Sequence, residues 1–187
     1  MSDDSLQKLA HIIRDRRTVK IFKQKSVDQK KILDAIDIAR WAPNHHVTEP
    51  WHFYLLNELI IEKCIDLIRI VVTEKKGHKL GEFKAKDAAS RPGWLVVTCK
   101  KSSDKLTQQE DYASVCCAIQ NFSLYLSESQ LASKWSTGPI TRDERFYKLL
   151  KINSEVEFIV GLIWYGYPKI IPKQNRKDLS QIITLID

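Results

Sequence analysis

The chain has 187 residues, 43% hydrophobic and 28% charged, a balance that can bury a core and that excludes a disordered or collagen-like polymer. Thirty Lys and Arg against 23 Asp and Glu give a formal net charge of +7, which would suit nucleic acid, an anionic membrane or phosphorylated small molecules. The cations are scattered, with Lys20, Lys23 and Lys25 in one place, Lys75, Lys76 and Lys79 in another, and Lys100, Lys101 and Lys105 in a third, so a solvated basic surface is expected, with no nucleic acid and no membrane as partner.

The acidic opening Met1-Ser2-Asp3-Asp4 has no apolar stretch behind it, which predicts a cytoplasmic chain without a secretory signal. No run reaches the roughly 18 apolar residues of a membrane-spanning helix. The length fits one domain over 1–187 that needs neither a disulfide nor a structural metal to fold. Cys64, Cys99, Cys116 and Cys117 lack C-x-x-C spacing and are expected to be reduced and packed.

Leu6, Leu9, Ile12 and Ile13 stand at helical spacing and predict a helix over 4–15. Ile32, Ala35, Ile36 and Ala39 predict a second over 28–40, capped by Asp28 and stopped before Pro43. His52 to Leu56 reads as a short buried strand, and a third helix follows over 58–73. Gly77 interrupts, 79–89 is a polar helical stretch, and Arg91-Pro92-Gly93 is a turn. Trp94 to Cys99 reads as a central strand. The segment 108–129 is apolar around much of its circumference, so this helix is buried on several sides, in the core or against a second subunit.

Ala132 to Pro139 is expected as a loop, 141–150 as a short amphipathic helix, and 156–167 as a long strand closed by Gly166-Tyr167-Pro168. The tail carries Lys173, Arg176 and Lys177 before an apolar end at Ile182, Ile183 and Leu185. Three strands separated by helical segments predict an α/β or α+β sheet covered by helices.

Neither G-x-G-x-x-G nor G-x-x-x-x-G-K-[ST] occurs, and the chain has only six glycines, so a phosphate would be held by side chains rather than a glycine cradle. Arg16, Arg17 and Arg176 are the best candidates, because guanidinium forks match phosphate oxygens in pairs; surface salt bridges are the competing reading of each. His45 and His46, with Glu49 nearby, invite a metal, but neighbouring histidines point apart and no H-E-x-x-H is present. No metal site is expected. Ser136 and Thr137 lack a nucleophile elbow and read as hydrogen-bond partners for a ligand edge beside Trp135.

Four segments in order resemble the FMN-dependent nitroreductases, in their small single-domain branch. Arg16-Arg17-Thr18-Val19-Lys20-Ile21-Phe22 is similar to the family's R-R-S-x-R/K-x-F, and Ala39-Arg40-Trp41-Ala42-Pro43 through Glu49-Pro50-Trp51-His52-Phe53 to its A-x-x-A-P-S…Q-P-W-x-F. Asp111-Tyr112-Ala113-Ser114 through Asn121-Phe122 resembles the long central helix, and Gly161 through Gly166-Tyr167-Pro168 the last core strand. The resemblance implies an α+β, three-layer nitroreductase-like fold: a central, mainly antiparallel sheet covered by helices, with the long helix buried at a dimer interface. It also implies a homodimer holding two FMN molecules in clefts between the subunits.

By motif position, the resemblance places Arg16, Arg17 and Thr18 at the phosphate, ribityl chain and pyrimidine edge of FMN. Lys20 matches a position whose ammonium lies near flavin N1 and the C2 carbonyl. His45 and Glu49 match the loop that reaches the flavin, often from the other subunit. Trp135, Ser136 and Thr137 match the segment along the ring, and Arg176 the C-terminal arginine that pairs with phosphate. The phosphate brings a charge of about −2 by analogy with other phosphomonoesters, which the arginines can offset.

The implied activity is ping-pong transfer of hydride from NADH or NADPH through FMN to a small-molecule electron acceptor such as a nitroaromatic or quinone, the cofactor supplying the redox chemistry so that no catalytic triad is needed. Glu49 stands where the family has Gln, Val47 where it often has Asn, and Ser129 to Ser133 where it has a glycine-rich turn. These departures motivate an alternative, a flavin-binding carrier, sensor or flavin-modifying enzyme with low turnover. A basic nucleic-acid-binding module, motivated by net charge alone, is the third reading.

Overall fold

The structure, a computed structural model, describes residues 3–186. Helix α1 covers Asp3–Asp15 and α2 Gln29–Ala39. Asp28 caps α2 by accepting from the Lys30 N–H at 2.9 Å, as the sequence predicts. Strand β1 is Trp51–Leu55. Helix α3 runs over Glu58–Lys76, one turn longer than its apolar pattern indicates, and is started by Asn57, which accepts from Ile60 N–H. Gly77, at φ 87°, breaks the chain between α3 and α4, His78–Ala89; only glycine takes that backbone without strain.

Strand β2, Gly93–Lys100, is followed by α5, Lys105–Glu128, the longest helix among the described residues. Residues Pro139–Arg142 form a 3-10 turn, α6 covers Glu144–Leu150, and β4 covers Glu157–Gly166. The expected loop at 132–139 is in part a strand, β3, Ala132–Ser136. Its sequence has no β-branched residue and only Trp135 favours a strand, too little to mark it. It extends because β4 offers an unpaired edge whose backbone groups need partners.

The sheet order is β1-β2-β4-β3, and every pairing is antiparallel. Side chains alternate across the sheet and feed two cores. One face gathers Trp94, Val96, Leu162 and Trp164 against α3, α4 and α6. The other gathers Leu95, Val97, Ile163 and Tyr165 against α2 and α5. The β2–β4 register slips between Val97 and Thr98, a bulge opposite Val160 that leaves a strand carbonyl free for a side chain.

Helix α5 buries Val115, Ala118, Ile119, Phe122 and Leu126 against the sheet, while Tyr112 and Cys117 stay exposed. The cysteines therefore divide. Cys64 and Cys99 are packed, with burial pushing both thiols up to about 12, but Cys116 is half-buried and Cys117 open, which corrects the expectation of four packed thiols. Among the described residues no helix is long and apolar enough to cross a membrane.

Candidate functional site

After α1 the chain leaves in an extended form and lies along the free edge of β3. Thr18 bridges Ser133 in parallel, with Val19 N–H donating to the Ser133 carbonyl at 3.1 Å. The segment then crosses to the end of β4, where Phe22 bridges Pro168 and Lys23 N–H donates to the Tyr167 carbonyl at 2.9 Å. Val19 and Phe22 are buried and anchor it. Arg16, Arg17 and Thr18 thus stand at a fixed place between α1, β3 and the C-terminal tail.

Arg16, Arg17 and Arg176 line one cleft of about 430 Å³ with Ile13 and Gln174. An adjoining cleft of about 270 Å³ joins Arg16 and Arg17 to Ser123, Ser127 and Ser133. Among the described residues no carboxylate lies within ion-pair distance of the three arginines; Asp15, next in sequence, is paired with His11 at 3.2 Å. Arg17 donates to the carbonyls of Arg14 and Arg16. Arg16 Nε is buried with no acceptor among the described residues. Burial lowers the Arg16 pKa, and the charges of Arg17 and Arg176 lower it further.

Gathering three cations with no carboxylate in ion-pair reach among the described residues is unfavourable for folding and favourable for an anion that arrives later. This cluster has the donor set and the unused capacity for a phosphate group. It therefore fits the phosphate of FMN on this chain's own geometry.

Strand β3 distributes its residues over both faces of the sheet. Ser133 is buried and its hydroxyl donates to Ser123 on α5 at 3.0 Å. Trp135 lies across Gly161, and its Nε1–H donates to the carbonyl of the bulge residue Val160 at 3.2 Å. Lys134 turns the other way, 4.6 Å over the Trp164 ring, and Ser136 lines a cavity on that same side. Thr137 presents its carbonyl to Arg142 at 3.1 Å. Trp135, Ser136 and Thr137 thus wind around the sheet edge rather than sharing one face. Lys20 is exposed, and its charge acts on Lys134.

A Cβ built on Gly161 would stand 2.1 Å from Trp135 Nε1. Gly161→Ala is therefore expected to displace the indole, break its bond to Val160 and lower stability by about 1–3 kcal/mol. Urea unfolding of the two proteins measures this, and equal midpoints would show that Trp135 does not depend on the contact.

The loop before β1 is strained. His46, Val47 and Glu49 take φ of 57°, 51° and 43°, a region non-glycine residues seldom occupy. Asn44 holds the loop: its amide donates to Thr48 Oγ1 at 3.0 Å and Ser114 Oγ at 3.3 Å, and its Oδ1 accepts from Glu49 N–H at 2.7 Å. Thr48 donates to Asp111, and His45 Nδ1 lies 2.8 Å from Glu110 Oε2 while its ring stacks on His46. The loop is thereby fixed to the first half of α5.

Within one chain these two groups of site residues do not meet. The loop packs on α5 at Glu110, Asp111 and Ser114, whereas the arginine clefts reach Ser123 and Ser127. At 1.5 Å per residue, Ser114 to Ser127 spans about 20 Å. The sheet separates them as well: β1 and β3 are opposite edges, roughly 14 Å apart at the usual strand spacing. Sequence reasoning missed Asn44 and Asp111, which hold the loop, and Lys134 and Arg91, whose placement follows only from strand alternation and helix packing. Of these, Asn44 carried a signal, an amide directly after Pro43 at the start of a polar loop.

The model of the nitroreductase family matches residues 13–167. YfhC of Bacillus subtilis (strain 168), whose name assigns it provisionally to the NAD(P)H nitroreductases, is 30% identical over 174 residues, covering 90% of this chain and 89% of its own. The crystal structure of a nitroreductase-like family protein from Bacillus cereus superposes with a TM-score of 0.86 at 28% identity, over 96% of each chain. A nitroreductase with bound FMN from Bacteroides fragilis NCTC 9343 shares the fold, with a TM-score of 0.78 at 19% identity over 96% of this chain and 99% of its own. With a matched stretch that holds the segment from Arg16 to Phe22, the strained loop, α5 and all four strands, the chain belongs to the nitroreductase family.

Proposed function

We propose that the protein is an FMN-dependent oxidoreductase that works as a homodimer and passes electrons from NADH or NADPH to a small acceptor such as a nitroaromatic or quinone. The observation that carries this reading is the convergence of Arg16, Arg17 and Arg176 on one cleft, with Arg16 Nε buried and unpartnered. The FMN bound in the Bacteroides fragilis relative and the name of YfhC support the choice of cofactor and donor. When bound, FMN supplies the hydride chemistry, accepting from the nicotinamide and giving to the acceptor in turn.

The chain's own residues bind, orient and shield. The three guanidinium groups hold the phosphate. Thr18 and the segment Trp135, Ser136 and Thr137, which winds around the free edge of the sheet, border the bound ring, and Lys20 adds a cation that favours negative charge on it. His45 and Glu49 complete the site from the partner subunit, because their own chain holds them at the far end of α5. Two features support the dimer. Every residue from Lys169 to Ile186 is exposed, including Ile170, Ile171, Ile182 and Ile183, and α1 exposes Leu6, Leu9 and Ile13. Exposed apolar residues in these two segments support pairing with a second copy of the chain.

The purified protein is expected to be yellow, or to become so with added FMN, and to bleach under anaerobic NADH or NADPH in a stopped-flow spectrometer. A colourless protein that takes up no FMN would refute the assignment. Bound FMN that neither nicotinamide reduces would instead favour a low-turnover flavin carrier, the role that an acidic Glu49 makes worth testing.

A further inference from the structure

A second concentration of positive charge lies on the opposite face of β3 from Ser133 and Trp135. A cavity of about 190 Å³ opens between the sheet and the α3–α4 pair. Its apolar lining comes from Ile68, Val72, Leu80, Leu162 and Trp164. Lys75, Lys76, Lys84 and Lys134 surround it, and none of the four has an ion-pair partner among the described residues. The one acid in the lining, Asp87, is engaged by the buried Arg91 at 2.5 Å.

Three of these lysines are exposed, and exposed lysines alone would mean little. Lys134 is different. It is half-buried, stands 4.6 Å over the Trp164 ring, and shares that ring with Arg91 at 5.3 Å. Burial lowers its pKa, with Arg91, Lys84 and Lys20 acting in the same direction and Asp87 alone opposing. Trp164 Nε1 is also buried without an acceptor among the described residues. A cavity of about 150 Å³ lined by apolar side chains holds a benzene ring, so this one has room for a ring with a substituent.

We propose that this cavity is the acceptor subsite of the enzyme and that it selects an aromatic carboxylate, whose ring packs among the apolar lining residues and whose charge is taken by Lys134 and its neighbouring lysines. The assignment rests on the flavin reading, because the cavity reaches Ser136, one of the three residues, with Trp135 and Thr137, expected to run along the FMN ring. It goes beyond that reading by specifying the charge and size of the acceptor.

Calorimetric titration of the FMN-saturated protein with benzoate and with its neutral counterpart benzamide tests the proposal. Benzoate is expected to bind about tenfold more tightly, and Lys134→Met to remove about that factor for benzoate while changing benzamide less than about twofold. In turnover, 4-nitrobenzoate and 4-nitrobenzamide are expected to differ in KM rather than in kcat. Lys84→Gln, on an exposed helix position, gives a smaller change of the same sign and guards against misfolding of the first variant.

Equal affinity for benzoate and benzamide, or equal loss of both in Lys134→Met, would overturn the carboxylate assignment while leaving the flavin reading intact. Displacement of benzoate from the apoprotein by FMN would also overturn it, since the lysines would then belong to the flavin ring. A protein that binds benzoate through Lys134 but takes up no FMN would refute the flavin reading, and the acceptor role with it.

Discussion

Replacing Arg16 with methionine is expected to raise the dissociation constant for FMN roughly ten- to a hundredfold, the value of one charge-assisted hydrogen-bonded contact, without lowering the melting temperature of the apoprotein. The two halves of this expectation share a cause. Among the described residues Arg16 has no carboxylate partner and its Nε no acceptor, and its pKa is lowered by burial and by Arg17 and Arg176. A cation whose pKa falls on folding is worse off folded than unfolded wherever it is charged, so at neutral pH it opposes folding and methionine relieves that opposition.

Arg145 is the internal contrast. Asp143 and Glu74 clasp it, with Nη1 and Nη2 reaching the two Glu74 oxygens at 2.9 and 2.7 Å. The arginine holds both carboxylates below their usual range, so Arg145→Met is expected to lower the melting temperature and leave FMN binding alone. Flavin fluorescence titration and thermal unfolding of both variants separate the roles. An Arg16→Met protein that melts lower and binds FMN like the parent would show that Arg16 is structural.

The difference between these two arginines is invisible in the sequence, where each is a basic residue near an acid. What is legible there is local. Asp28, Gly77 and the apolar runs of β2 and β4 announce themselves through capping, backbone freedom and hydrophobic pattern. Strand β3 does not, because Ala132 to Ser136 takes its form from the edge of β4 rather than from its own side chains. Arg16-Arg17-Thr18 could be read as an anion grip because the motif is contiguous. The cavity around Lys134 could not, since it depends on which face of β3 each residue occupies and on α4 packing across from it. The distance between the arginine clefts and the His45 loop was equally hidden, because it is set by the sheet order.

That distance yields the sharpest expectation about assembly. If each FMN site takes its arginines from one chain and its strained loop from the other, defects in the two groups complement. Arg16→Met/Arg176→Met removes the phosphate grip, and Asn44→Ala removes the contacts that hold Thr48, Ser114 and Glu49 N–H in register. Neither homodimer is expected to retain FMN at micromolar concentration. When the two proteins are unfolded together and refolded as a mixture, half of the dimers are mixed, and each mixed dimer has one site carrying both defects and one carrying none. About a quarter of all sites then bind flavin, read from the flavin absorbance that co-migrates with the dimer on a sizing column. Sites built within a single chain give no recovery on mixing, because every copy keeps its own defect. Recovery without a dimer peak is equally incompatible with a shared site, so the column decides the assembly and the absorbance decides its consequence.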